Sequence, residues 1–364
     1  MAIGKDVEVV RSDRRRWPLL VSLLSPIALV GVFLWCLHLS HPGLIEKSRF
    51  VFNTAQMRKG RRFYEDIGIQ WLSRNEILFC TFDDPVKAAS RVARTRNITT
   101  GSERELPGLT AAIDADDWEI VDNQCVSPDG RWFVRSGRWD NCLLASIDGS
   151  HKHVYPSLAT DCYREIFWLS DSRHWIESFG VNMECKKLVL HDVLAPGVST
   201  SLPVGDQALL LGHLRAVPAL SRAISIKLPE EEDTPQTEGK VTITQFDLLH
   251  PGSGSRLTTM AIPGAADGCT AHVSPDGTQI AWCAVSPAAD PVRSILHKFR
   301  SAIDVHPFTQ YVVYVSAPDG SGMREIGEVA SKDPDDSLEI GWLPDGKSLT
   351  VKYGDSMYLV GVGK

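Results

Sequence analysis

Val126-Ser127-Pro128-Asp129-Gly130-Arg131-Trp132-Phe133-Val134 is an apolar strand end, a tight turn and a second apolar strand. Proline fixes the first central position of a type I turn, aspartate suits the second, and glycine takes the left-handed position that follows without a Cβ clash. Pro128, Asp129 and Gly130 recur in phase as Pro275, Asp276 and Gly277 and as Pro344, Asp345 and Gly346, each between apolar runs. Trp168-Leu169-Ser170-Asp171-Ser172-Arg173-His174-Trp175-Ile176 is a degenerate copy. One such turn occurs in any β protein, but several in phase at intervals of about 40 to 70 residues mark a repeat architecture.

Two weaker copies fill the series. Gly68 to Phe79 has the same shape around Ser73-Arg74-Asn75, and Ala216 to Ile226 occupies the vacant interval, supported by its spacing alone. A second series interleaves with the first. Asn141 to Ser150 and Tyr311 to Gly322 are clear copies with Asp-Gly-Ser turns, and looser ones surround Thr100-Gly101, Pro196-Gly197 and Pro251-Gly252. Each unit therefore holds two hairpins, or four antiparallel strands, in about 50 residues, and four-stranded sheets repeated radially are propeller blades.

These runs resemble the TolB-type, WD-repeat-like β-propeller family of bacterial envelope proteins, over roughly residue 50 to the carboxyl end. The Ser-Pro-Asp-Gly and Leu-Pro-Asp-Gly turns carry the resemblance, together with the Asp-Gly-Ser turns of the following hairpins. The amino-terminal α/β domain of TolB has no counterpart here. The resemblance implies a fold and a habit of binding partners, not a reaction.

The turn series starts near residues 71, 126, 168, 217, 273 and 342, which predicts six blades. The last unit stops after its third strand, at Ser356 to Val362, so closing the ring needs a strand from elsewhere. The β-rich run Arg49-Phe50-Val51-Phe52-Asn53-Thr54 is expected to supply it and remove an exposed edge, the other reading being plain linker.

In a four-stranded blade the loops joining strands two and three, and those joining blade to blade, emerge on one face. The other turns emerge on the opposite face. Insertions at 82–90, 228–239 and 286–310 belong to the first face, and 291–303 within the last has apolar residues at helical spacing. Asp83, Asp84, Asp114, Asp116, Asp117, Glu230, Glu231, Glu232, Asp333, Asp335 and Asp336 fall in loops of this class, whereas Arg74, Arg131, Arg173 and Lys347 follow the opposite turns. The carboxylates are either ordinary solvated loop charge or a docking surface for a basic partner or a cation.

Residues 18–39 carry no formally charged side chain over 22 positions, long enough as a helix to cross a bilayer core of roughly 30 Å. Trp17 and Trp35 lie near its ends, as interfacial aromatics do. A cleaved signal peptide is the rival, but the run exceeds its usual apolar length and no small-x-small site follows. Lys5, Arg11, Arg14, Arg15 and Arg16 precede the run, against Lys47 and Arg49 just after it, so residues 1–16 are expected in the cytoplasm and the rest outside it. The expected organisation is thus a tail, 1–16; a signal-anchor helix, 17–39; a linker, 40–47; and a propeller, 48–364.

Extracytoplasmic cysteines are free to bridge. Cys125 with Cys142, Cys162 with Cys185, and Cys269 with Cys283 are neighbours within single blades, although buried free thiols fit equally. No Cys-x-x-Cys spacing suggests zinc. There is also no Gly-x-Ser-x-Gly elbow, phosphate loop or His-Glu-x-x-His, and no hydrolase domain follows the blades. A net charge of −7 argues against nucleic acid as the partner. The chain reads as an all-β, six-bladed propeller behind a single transmembrane helix. Its expected role is a non-catalytic, cofactor-free binder of a protein or glycan, periplasmic in a bacterium. The alternative is a lactonase- or lyase-like propeller enzyme with its site at the mouth of the central channel.

Overall fold

The computed structural model describes residues 43–53, 62–63, 69–82, 91–113, 126–136, 142–155, 163–181, 184–204, 211, 213–229, 239–250, 254–265, 268–286, 309–331 and 338–363. Leu44–Lys364 forms one compact unit. The expected transmembrane run at 18–39 lies outside the described residues, among which no helix is long and apolar enough to cross a membrane.

A helical turn, α1 (Leu44–Lys47), and β1 (Arg49–Asn53) come first. Blade 1 follows, with β2 (Arg62–Phe63) and β3 (Gln70–Ser73) sharing one edge of β4 (Glu76–Phe82), then β5 (Arg91–Asn97) and β6 (Glu103–Glu105). After α2 (Pro107–Ile113), blade 2 contains β7 (Trp132–Ser136), β8 (Cys142–Ser146) and β9 (Lys152–Tyr155). Val126 bridges Phe133 on the inner side of β7. Blade 3 is β10 (Tyr163–Trp168), β11 (His174–Val181), β12 (Glu184–Asp192) and β13 (Ser199–Leu202). Blade 4 is β14 (Leu214–Ala219), β15 (Arg222–Lys227), β16 (Lys240–Phe246) and β17 (Arg256–Ala261), so the eroded fourth copy is a real hairpin. Blade 5 is β18 (Cys269–Val273), β19 (Ile280–Ser286), β20 (Thr309–Ser316) and β21 (Arg324–Ser331). Blade 6 is β22 (Leu338–Trp342), β23 (Ser348–Tyr353) and β24 (Ser356–Gly361), completed on its outer side by β1.

Six antiparallel sheets and six buried clusters, one at each blade-to-blade interface, make this a closed six-bladed β-propeller. The pleat explains the composition of the strands. In β19, Ile280, Trp282 and Ala284 join the cluster shared with blade 4, while Ala281 and Cys283 join the one shared with blade 6. A strand buried on both faces is apolar throughout rather than alternating.

Ring closure is local and specific. Arg49 pairs with Leu359 and Asn53 with Ser356, and Phe52 enters the blade 6–blade 1 cluster with Phe79, Leu343 and Met357. Residues 44–47, expected as linker, are instead part of the fold. Leu44 is fully buried between blades 5 and 6, because glycine at 327 lets its backbone approach where a Cβ would lie 2.8 Å from the Leu44 Cα. Lys47 Nζ donates to the Ile326 carbonyl at 3.1 Å.

Of the two readings open for Cys269 and Cys283, a bridge or free thiols, the structure has both as free thiols. The reason is register. Cys269 stands opposite Ala284 and Thr270 opposite Cys283, so the two sulfurs point to opposite faces of blade 5. Burial pushes each thiol up to about 12. Cys142 is buried in the blade 2–blade 3 cluster, while Cys125, Cys162 and the side chain of Cys185 lie outside the described residues.

Two outcomes test this architecture. Phe52→Ala removes the apolar anchor of the closing strand and is expected to lower stability by about 3 kcal/mol in urea unfolding. Alkylation of the unfolded, unreduced chain is expected to label both Cys269 and Cys283, and a peptide pair still joined by a disulfide would contradict the register.

Candidate functional site

The two faces of the ring differ in how the chain turns. On one face, the turns between first and second strands and between third and fourth strands are short and held by a repeated polar device. Ser127 Oγ donates to Asp129 Oδ1 at 2.6 Å, Asp129 accepts the Arg131 N–H at 3.1 Å, and the Trp132 N–H returns to Ser127 Oγ at 3.0 Å. Ser274, Asp276, Thr278 and Gln279 repeat it at 2.7, 3.0 and 2.9 Å. Ser146, Asp148, Ser150 and His151 build it again on a third-to-fourth turn at 2.6, 2.9 and 2.9 Å. The Ser146 hydroxyl, with the backbone N–H and hydroxyl of Ser150, holds the Asp148 carboxyl down at about 2. The turn aspartates therefore serve as structural acceptors.

Blade 3 departs from the pattern and shows what the others gain from glycine. Ser172 has φ 56°, the only positive φ of a non-glycine residue among the described residues. Its strain is held in place from both sides: Asp171 accepts the N–H groups of Arg173 and His174, each at 2.9 Å, and Ser172 Oγ accepts the Asp129 N–H of the neighbouring blade at 2.9 Å. At the matching glycine, Gly130, a Cβ would lie 2.1 Å from the Leu72 carbonyl oxygen of blade 1. The Ser170 N–H and hydroxyl donate to the Pro218 carbonyl at 3.0 and 2.8 Å, and Arg222 donates to the Gly277 carbonyl. These bonds tie adjacent blades together across the tight-turn face.

A shallow cavity of about 370 Å³ opens on this face in blade 4, lined by Ser221, Arg222, Gln245, Phe246, Asp247 and Arg256. Arg256 reaches Asp319 of blade 5 at 3.3 Å, and the Leu249 N–H, followed by bonds from His250, holds the Asp247 carboxyl below the usual range. Two guanidinium groups at its wall suit a small anionic group.

The innermost strands bring a second polar group together. His272 on β18 lies near Arg215 of β14 and Glu339 of β22, and its carbonyl accepts Trp342 Nε1–H at 2.8 Å. Burial, then the positive charge of Arg215, push the imidazole down to about 4 against the opposing pull of Glu339. His272 is neutral at physiological pH. A third group is buried between blades 2 and 3. The His191 ring stacks on Trp175 with centroids 4.0 Å apart and 12° between planes, Tyr155 meets both rings edge-on, and Glu177 Oε2 approaches His191 Nε2 at 3.4 Å. Sequence reading missed this group, since Trp175 and His191 meet only through the register of β11 with β12. The one signal for it is that register, counted back from the Pro196-Gly197 turn.

All eleven carboxylates singled out in the sequence, Asp83 to Asp336, lie outside the described residues, as does the helical run at 291–303. The described strands that flank 83–90, 230–238 and 332–337, β4 and β5, β15 and β16, and β21 and β22, end and begin on the face opposite the tight turns. Among the described residues no three His, Cys, Asp or Glu side chains are grouped to hold a metal ion. His151 sits in its turn against Ser150 Oγ at 2.8 Å, and His153 packs edge-on against Tyr155.

No family model and no curated protein matches this chain. Among solved structures it is similar to an oligogalacturonate lyase from Vibrio parahaemolyticus, at 12% identity and a TM-score of 0.45, over 84% of this chain and 91% of that one. An oligogalacturonate lyase in complex with manganese is similar at 14% identity and a TM-score of 0.45, over 84% and 96%. The β-propeller domain of the trilobed protease from Pyrococcus furiosus is similar at 12% identity and a TM-score of 0.45, over 84% and 82%. These likenesses concern the fold.

The pKa shifts separate two pH windows. His272 is depressed on folding, so its neutral form contributes stability that is full above 6.5 and lost as pH falls toward about 4. Asp148 is depressed too, and its contribution is lost between 3.8 and about 2. Urea midpoints measured against pH are expected to fall in both windows. His272→Gln is expected to flatten the upper one, on the order of 2 kcal/mol, and Asp148→Asn to flatten part of the lower one alone.

Proposed function

We propose that this protein is a membrane-anchored, TolB-like propeller that works by binding, presenting its loop-rich face to a protein or glycan partner on the extracytoplasmic side of the membrane. The observation that carries this reading is the docking of Leu44–Asn53. Only residues 40–43 separate the apolar run from a helical turn buried between blades 5 and 6 and the strand that closes the ring. The short separation in sequence supports an anchored reading.

Two further features support binding. The described carboxylates of the tight-turn face accept bonds from backbone N–H groups, hydroxyls or arginines, and the eleven loop carboxylates belong by sequence to loop classes of the opposite face. The insertions also gather in loop classes of that one face. A channel-mouth enzyme would draw on Arg215, His272 and Glu339, the polar group on the innermost strands.

Crosslinking of the full chain in its native membrane, followed by capture, tests the proposal. The comparison is a variant in which Asp83, Asp84, Asp114, Asp116, Asp117, Glu230, Glu231, Glu232, Asp333, Asp335 and Asp336 become Asn or Gln. A partner captured by the native chain and lost in the variant is the expected result. A partner kept by both moves the site to another surface, and capture of none by either favours the channel enzyme.

A further inference from the structure

The first-to-second turn of blade 3 lacks what holds its counterparts. Blades 2 and 5 carry a serine two residues before the turn aspartate and a glycine after it, Ser127 with Gly130 and Ser274 with Gly277, and blade 6 keeps the glycine, Gly346. Blade 3 has Leu169 and Ser172 at these places. The first offers Asp171 no hydroxyl, and the second bears a Cβ at φ 56°, a left-handed conformation that costs an L-residue energy. His174 takes over the work of both. Its N–H donates to Asp171 Oδ1 at 2.9 Å, and its Nδ1 meets Asp171 Oδ2 at 2.6 Å. The matching residues of blades 2, 5 and 6 are Trp132, Gln279 and Ser348, none of which changes charge.

The same imidazole faces a second carboxylate. His174 Nε2 lies at ion-pair distance, 3.7 Å, from Oδ2 of Asp192, which opens the third-to-fourth turn. Arg173 donates to Asp192 as well, from Nε to Oδ1 at 2.9 Å and from Nη2 to Oδ2 at 2.5 Å. Asp192 Oδ1 in turn accepts the Leu194 N–H at 2.8 Å. The first turn is fixed to the ring on both sides, by Ser172 to blade 2 and by Ser170 to blade 4. The second is joined to the first by the Val193 N–H on the Arg173 carbonyl and by the side chains of Arg173 and His174. Both carboxyls stay ionised near neutrality. Bonds from Arg173 hold Asp192 at about 2, and against the upward push of burial, bonds from His174 and the Arg173 N–H hold Asp171 below the usual range. Histidine is the side chain whose charge changes between about pH 5 and 8.

We propose that His174 is a proton-operated clamp that joins the two tight turns of blade 3 when charged and releases the 192–198 turn when neutral. The imidazolium donates Nδ1–H to Asp171 and presents Nε2–H to Asp192. When one proton leaves, the ionised Asp171 keeps the hydrogen on Nδ1, and Nε2 turns a lone pair toward the Asp192 carboxylate, so attraction becomes repulsion. Arg173 is then the one side chain of the pair still holding the turn that carries Leu194 and Val198. The clamp is closed at low pH and is lost as pH rises through the titration of the imidazole. The charged and titratable groups of the packed elements are Asp171, Arg173 and Asp192 in blade 3, Asp129 and Arg131 in the blade 2 turn that Ser172 reaches, and His153, which a Cβ at Gly197 would approach to 3.4 Å. His191, one residue before Asp192, faces Trp175 and Glu177 inside the blade 2–blade 3 interface. This device goes beyond the binding role proposed above and does not require it.

The test compares the full chain at about pH 5.5 and about pH 8, which bracket histidine titration. Amide hydrogen exchange, divided by the intrinsic chemical rate at each pH, is read at 193–198, with the turn at 354–355 on the opposite face as internal control. The expected result is protection at 193–198 on the order of threefold higher at the lower pH, the size of one partly exposed ion pair, with an unchanged control. In His174→Gln the two pH values are expected to give equal protection. Asp192→Asn keeps an acceptor for the Leu194 N–H while removing the charge that Nε2 meets, and is expected to flatten the dependence too, which keeps the test open if the first variant does not fold. Equal protection at both pH values in the native chain overturns the clamp. So does a dependence that survives in either variant, which places the titration on another group or the contact elsewhere than Asp192, and so does an equal change at 354–355, which marks a shift in global stability.

Discussion

Two-sided burial of the blades is the interaction on which the rest of this structure depends. A sheet in a propeller has no solvent face to spare: odd positions of a strand meet one neighbouring blade, even positions the other, and six clusters close the circle. Such a ring holds only if its last interface is as well filled as the others. Here that interface depends on a strand from the far end of the chain, β1, with Phe52 filling the space between Phe79 and Met357. The helical turn before it adds Leu44 to the preceding interface, so one ten-residue segment contributes to two of the six.

The segment that seals the ring also seats Leu44 between blades 5 and 6, and that seat requires glycine at 327. The tight-turn face is constrained by hydrogen bonds and sterically, with its aspartates committed to turns and its blades stitched together by Ser170, Ser172 and Arg222. Its polar chemistry is largely inward. Its exposed large apolar side chains lie along the outer rim of that face.

The balance of what could and could not be read beforehand follows the range of each interaction. The Pro-Asp-Gly turns are legible because their stability is local: five or six consecutive residues contain the donor, the acceptor and the glycine that the geometry needs. The eroded copy at Ala216 to Ile226 was recoverable from spacing, since a ring must be complete. The cysteine pairing in blade 5 failed for a shift of one residue in register, which moves a side chain to the other face of the sheet. Leu44–Lys47 looked like linker because nothing local distinguishes a short helical turn that is buried by distant blades from one that is not.

The sequence by itself determined the repeat, the number of blades, the all-β class and the strand that completes the last sheet, because each is written in short-range pattern or in the requirement that a β edge be covered. Only the tertiary structure decided which residues meet across blades. The stacking of His191 on Trp175, the neutral state of His272 between Arg215 and Glu339, the separation of Cys269 from Cys283 and the apolar rim spread over four blades all depend on register and on the closing of a ring. Those are contacts between positions far apart in the chain, and no local pattern specifies them.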